Sequence, residues 1–154
     1  MKPLEHLRQL KLAKTKEEHP SVPAYAIPAV KYDDTTSNGL TKCIIEFLKL
    51  TGNHGERTGN EGRTIDNRKQ VTDVIGRTKT IGTIKRIPSS GTKGTSDIKA
   101  IIQGRMVAIE VKIGKDRQSE AQKDYQAMIE RAGGIYWIVK SFDDFYEKYT
   151  LISK

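Results

Sequence analysis

The chain is short of the residues that build covalent or soft-metal frameworks. Cys43 is the only cysteine among 154 residues, which excludes a disulfide framework and a cysteine zinc site. His6, His19 and His54 are the only histidines, and they fall at no metal-ligand spacing. No apolar run approaches the roughly 20 residues of a membrane-spanning helix. The opening residues lack the apolar region of a signal peptide. These absences set the expectation of a reducing cytoplasm and no membrane partner. Negative charge is also scarce, with 19 acidic residues against 27 Lys and Arg, a net charge of +8. That excess points to an anionic partner or substrate; a merely soluble basic protein is the plain alternative. The length suits one domain with a real core.

Four prolines and mixed charge make residues 1–36 read as a loosely ordered arm with a short helix at Leu4–Lys14. Ser37 or Asn38 is placed to cap a helix running to Leu50 or Thr51 and ended by Gly52. Its apolar stripe is Leu40, Cys43, Ile44, Phe47 and Leu48. His54–Arg63 reads as a polar strand or extended segment, 64–80 as an inserted loop or hairpin, and Ile81–Ile87 as a strand stopped by Pro88. Between Arg57 and Lys93 nine basic residues face three acidic ones, a local charge of +6. Ser119 and Gln122 form a capping-box pattern opening a helix that Gly133-Gly134 ends. Ile135–Val139 reads as an apolar strand and Ser141 as the cap of a last helix. The order predicts an α/β protein with a mixed central sheet flanked by helices.

The densest signal is Asp97 followed by Glu110-Val111-Lys112. Gln103-Gly104 supplies a two-residue turn between two strands. With that turn, Ile102 faces Arg105 and Asp97 falls opposite Glu110, where Cβ atoms stand roughly 5 Å apart. Glu110 and Lys112 share one strand face, and the strand is apolar on both faces before them, as in a buried strand. Buried charges are costly unless paired or bound to metal. Two opposed carboxylates suit a hard divalent ion such as Mg²⁺, and Lys112 lies on the same face. The alternative is a turn aspartate beside a solvated stripe on an edge strand.

From about Asn38 to Tyr149 the chain resembles the PD-(D/E)xK nuclease superfamily, and within it the VRR-NUC group of small phage and bacterial nucleases. Glu56-Arg57-Thr58-Gly59-Asn60-Glu61-Gly62 looks like the group's Arg, Asn and Gly stretch after its first helix. Gly91-Thr92-Lys93-Gly94-Thr95-Ser96-Asp97-Ile98 resembles its Gly-x-x-Gly-x-x-Asp-Ile element. Gly104-Arg105 with Ile109-Glu110-Val111-Lys112 resembles its Gly-Arg…Ile-Glu-Val-Lys strand. Ser119-x-x-Gln122 and Gly133-Gly134-x-Tyr136 resemble the motifs that follow. The resemblance implies a restriction-endonuclease-like αβββαβ core over 37–154. It implies an Mg²⁺- or Mn²⁺-dependent DNA endonuclease, selective for branched, flap or junction DNA, with a homodimer expected and no small-molecule organic cofactor. Asp97, Glu110 and the Val111 carbonyl carry over as metal ligands, Lys112 as the residue stabilising charge at the phosphate, and Gln122 as a polar group facing the site. Arg57, Asn60, Arg63 and Lys93 are its candidate nucleic-acid contacts. Ser96 stands where the superfamily has Pro. The first-helix acid has no clear match: Asn38 occupies roughly its place and Glu46 lies two turns later. A nucleic-acid-binding module with an inactive site is the rival reading.

Overall fold

The computed structural model describes residues 2–59, 63–87 and 91–153. In chain order they form α1 (Pro3–Glu18), a single 3₁₀ turn (Ala24–Ala26), α2 (Ser37–Leu50) and β1 (His54–Arg57). Then come β2 (Arg63–Asp66), β3 (Lys69–Thr72), β4 (Thr78–Ile81), β5 (Ile84–Ile87), β6 (Ile98–Ile102) and β7 (Arg105–Val111). The chain ends with α3 (Glu120–Arg131), β8 (Ile135–Val139) and α4 (Phe142–Ile152). It is a mixed α/β protein, and it divides into two compact units, residues 1–58 with 94–154, and residues 59–93.

The first unit is organised by the β6–β7 hairpin. Gln103 (φ 50°) and Gly104 (φ 76°) both take positive φ, as a two-residue turn matched to strand twist requires. The turn holds Ile102 opposite Arg105 and Ile98 opposite Ile109, which is the register expected from the sequence. β1 adds antiparallel to β6 and β8 adds parallel to β7, giving the sheet order β1-β6-β7-β8. β7 is therefore an interior strand, and Val107 to Val111 are buried on both of its faces. The alternative of an edge strand with a solvated stripe is removed.

α2 covers one face. Thr36, rather than Ser37 or Asn38, caps it by accepting the Gly39 N–H at 3.1 Å. Its stripe of Leu40, Cys43, Ile44, Phe47 and Leu48 meets Ile98, Val107, Ile109 and Val111 in the main core. Phe47 lies edge-on to Phe142, Phe145 and Tyr149 of α4. Each such side chain stabilises the fold by roughly 1.5–3 kcal/mol through burial. On the other face, Tyr125 of α3 packs with Ala108 and Tyr136.

Two expectations need correction. Within the stretch read as a loose arm, α1 is longer than the Leu4–Lys14 helix expected and packs on the core of the domain assigned to 37–154. Leu7 of α1 is fully buried in the main core. His6 Nδ1 and the Tyr146 hydroxyl share a hydrogen bond of 3.1 Å, and Lys11 pairs with Glu46 at 2.9 Å. Leu4 and Leu10 also pack against that core, partly buried, so the helix is held by a row of three leucines and by partners far along the chain. The strand expected over 81–87 is also broken. Gly82 takes φ +100°, and a Cβ there would stand 2.3 Å from the Asn67 carbonyl oxygen. β4 ends before it and β5 begins after it. In the 59–93 unit, β2 pairs with β5 and β3 with β4, and the two ladders share one register. Residues 63–87 are thus one long ribbon pinched at Gly82. Among the described residues no helix is long and apolar enough to cross a membrane.

Candidate active site

Glu110 ends the buried run of β7, and Lys112 follows it, its N–H still donating to the Val139 carbonyl at 2.9 Å. The strand is still extended there, so both side chains leave the same face, the one covered by α3. They are 2 % and 7 % exposed, and Lys112 Nζ stands 3.0 Å from Glu110 Oε1. Asp116, in the loop after β7, holds the same ammonium at 3.3 Å. Gln122 completes the group from α3. It is the third residue of a capping box: its Oε1 accepts the Ser119 N–H at 2.9 Å, and Ser119 Oγ accepts the Gln122 N–H at 3.3 Å. With that end of the amide fixed, its Nε2 donates to Glu110 Oε1 at 2.5 Å. The cap and the site contact are two ends of one side chain.

Asp97 precedes β6, one residue before the Ile98–Ile109 pair, which carries it toward Glu110. Its backbone carbonyl accepts the Thr58 N–H at 2.8 Å, and its Oδ2 accepts the Val111 N–H at 2.9 Å. The N–H and C=O of one strand residue project to the same edge. The Val111 carbonyl therefore points toward the Asp97 side, past the start of β6. Gly94 brings this loop against α3. It takes φ +75°, and a Cβ there would lie 2.0 Å from the Ala121 carbonyl oxygen. The approach of two backbones sets the Asp97 loop beside the turn that carries Gln122.

The electrostatics follow from burial. Loss of water raises the Glu110 carboxyl above its ordinary range, the Asp97 charge raises it further, and Lys112 only partly offsets both. Burial works against the Lys112 ammonium, yet its contacts with Glu110 and Asp116 hold it above its usual value. The Tyr136 hydroxyl is pushed up to about 12 by burial and by the nearby Glu110 charge. Glu110 Oε2 is buried with no hydrogen-bond partner among the described residues. A buried unsatisfied carboxylate oxygen costs roughly 1–3 kcal/mol or more, and a cation would satisfy it. Among the described residues no three His, Cys, Asp or Glu side chains are placed to hold a metal ion together. The donors to hand are two carboxylates and a backbone carbonyl, all hard oxygens. Such a set fits Mg²⁺ or Mn²⁺, with water and phosphate oxygens completing the shell.

The structure thus gathers Asp97, Glu110, Val111, Lys112 and Gln122. It does not bring Glu46 to them: α2 covers the opposite face, and Glu46 pairs with Lys11. Arg57 also points away. It pairs in register with Ile98, whose side chain lies in the α2 core, and donates to Asn38 Oδ1 at 2.7 Å. Arg63 and Lys93 are exposed and belong to the 59–93 unit. Asn60 lies outside the described residues. The sequence reading passed over Asp116, whose only signal is its place four residues after Lys112 in a polar loop. A scan of protein-family models finds no match to the chain, and a search of curated proteins finds none either.

Proposed function

We propose that the chain is a metal-dependent DNA endonuclease with a restriction-endonuclease-like αβββαβ core of the VRR-NUC kind. The succession α2-β1-β6-β7-α3-β8, with the ribbon between β1 and β6, supports that core. One observation carries the functional reading: Asp97 and Glu110 converge at the end of an interior strand with a buried ammonium beside them and one carboxylate oxygen unsatisfied. Hiding such a group is costly, and a protein that only bound DNA would gain nothing from it.

Asp97, Glu110 and the Val111 carbonyl would hold Mg²⁺ or Mn²⁺, which supplies Lewis acidity toward water and the phosphodiester. Lys112 places fixed positive charge where negative charge grows on the phosphoryl oxygens. Asp116 and Glu110 keep that ammonium protonated and aimed. Gln122 locks the Glu110 rotamer. Selectivity for flaps, junctions or other branched DNA, action as a homodimer, and a cytoplasmic setting belong to the same reading.

The test is cleavage of labelled linear, flap and four-way-junction DNA with Mg²⁺, Mn²⁺ or EDTA. Cutting is expected with metal and absent in EDTA. Lys112→Ala should lower the rate by about 10²–10³-fold and leave DNA binding largely intact. Cutting by that variant at the wild-type rate would overturn the assignment. Binding that never leads to cutting under any metal would favour a module with an inactive site.

A further inference from the structure

The ribbon of residues 63–87 has a side-chain pattern that the catalytic reading does not use. It carries seven basic side chains against two acidic ones, a net charge of +5. Both acids are spoken for. Asp66 takes Arg68 in a two-pronged pair at 2.9 and 2.7 Å. Asp73 accepts the N–H groups of Ile75 and Arg77 at 2.9 and 2.8 Å to shape the turn. Among the described residues, Arg63, Lys69, Arg77, Lys79, Lys85 and Arg86 are in no ion pair.

The ladders sort these charges by face. In the outer ladder Lys69 pairs with Ile81 and Val71 with Lys79. One face therefore alternates cation and β-branched aliphatic, while Gln70, Thr72, Thr78 and Thr80 make the other face uniformly neutral and polar. The inner ladder repeats the first pattern, Arg63 opposite Ile87 and Ile65 opposite Lys85. Cations never sit directly opposite one another; they lie on diagonals roughly 7–8 Å apart. All of β3 and β4 is exposed, so this ladder is not built around a core. The turn is equally unusual. Asp73 and Gly76 flank it, as turns favour, yet its two central residues are Val74 and Ile75 at 105 % and 75 % exposure.

We propose that this ribbon is an arm that lies in a groove of duplex DNA, with Arg63, Lys69, Lys79 and Lys85 on phosphates and the Val74–Ile75 tip pressed against base steps. A two-stranded ribbon fits the major groove of B-form DNA, about 12 Å wide. Ten residues per strand span roughly 30 Å, close to one duplex turn. Proteins that enter the minor groove unstack base steps with exposed aliphatic wedges, and Val74 and Ile75 give this tip the same chemistry. A-form RNA has too narrow a major groove for such a ribbon, so duplex DNA is the better partner. The proposal shares with the nuclease reading only the identity of the polymer and needs no chemistry at Glu110.

The test uses the full chain, in EDTA so that cleavage plays no part, and fluorescence anisotropy with a 30-base-pair duplex. Lys69→Ser with Lys79→Ser should weaken binding about tenfold and reduce the slope of log affinity against log salt by about two. Val74→Ser with Ile75→Ser should abolish the fluorescence rise of a 2-aminopurine placed in the duplex while affinity stays within about threefold. All four positions are exposed, and a melting curve checks that each variant is folded. Unchanged affinity and salt slope in the lysine variant would overturn the arm, as would equal affinity for duplex RNA. A 2-aminopurine signal that survives in the tip variant would remove the wedge. A protein that binds through the ribbon but never cuts would keep the arm and lose the nuclease; one that cuts with the lysine variant at full affinity would do the reverse.

Discussion

At the scale of the residue, Glu110 is the group whose chemistry and stability are most tightly linked. Burial and Asp97 raise its carboxyl above the ordinary range. As pH climbs through that ordinary range, the unfolded chain gives up this proton first, so metal-free stability falls until the folded group ionises too. Glu110→Gln should therefore melt higher than the wild type in EDTA at pH 7–8, and the two should converge below both ionisations. A variant that melts lower across the whole range would contradict the assigned burial cost. Adding Mn²⁺ should reverse the order at neutral pH: the wild type gains about 2.7 kcal/mol at a hundredfold excess over Kd, and Glu110→Gln gains little. Gln122→Ala keeps the Ser119 cap but removes the side-chain half of the capping box and the Glu110 contact together. It should cost about 1 kcal/mol by denaturant titration and slow cleavage as well, whereas a purely capping residue would change stability alone.

At the scale of the element, α1 and the Gly94 loop are the parts most open to test. Leu7→Ala empties a fully buried position and should cost about 2–5 kcal/mol; a loose arm would lose nothing. Gly94→Ala forces a Cβ onto the α3 backbone at positive φ. It should destabilise by more than about 1 kcal/mol and depress cleavage, since it parts the Asp97 loop from Gln122. These two elements also mark what could be read in advance. The β6–β7 register was legible because a two-residue turn leaves one pairing, and that pairing places Asp97 opposite Glu110. The α2 stripe and the Ser119–Gln122 box were legible because their signals are local. α1 was legible as a helix over Leu4–Lys14, but its docking was not, since its anchors include His6 on Tyr146 and Lys11 on Glu46, contacts that no neighbouring residue announces. The ribbon was half-legible: 64–80 reads as an inserted loop or hairpin, but Gly82 breaks what reads as one strand from Ile81 to Ile87. The face of β1 that Arg57 leaves was not legible, because a basic residue before a glycine-rich stretch carries no periodicity that announces it.

At the scale of the whole molecule, the two units divide the sequence unevenly, since 59–93 interrupts a sheet that is complete without it. Arg57 pairs with Ile98, and the Thr58 N–H donates to the Asp97 carbonyl at 2.8 Å. The chain thus leaves the sheet and returns to it at neighbouring points. Replacing 60–92 with a short Gly-Ser linker should leave a cooperative melt and the far-UV signal of the sheet and helices, while DNA affinity in EDTA drops at least tenfold and loses much of its salt dependence. Collapse of the melt would mean that the sheet depends on the segment removed. That joint also sets how such a protein can change. Because the insert is bounded on both sides by laddered strands, changes within it leave the register of Asp97 and Glu110 in place, so ribbon and carboxylate site are free to diversify separately.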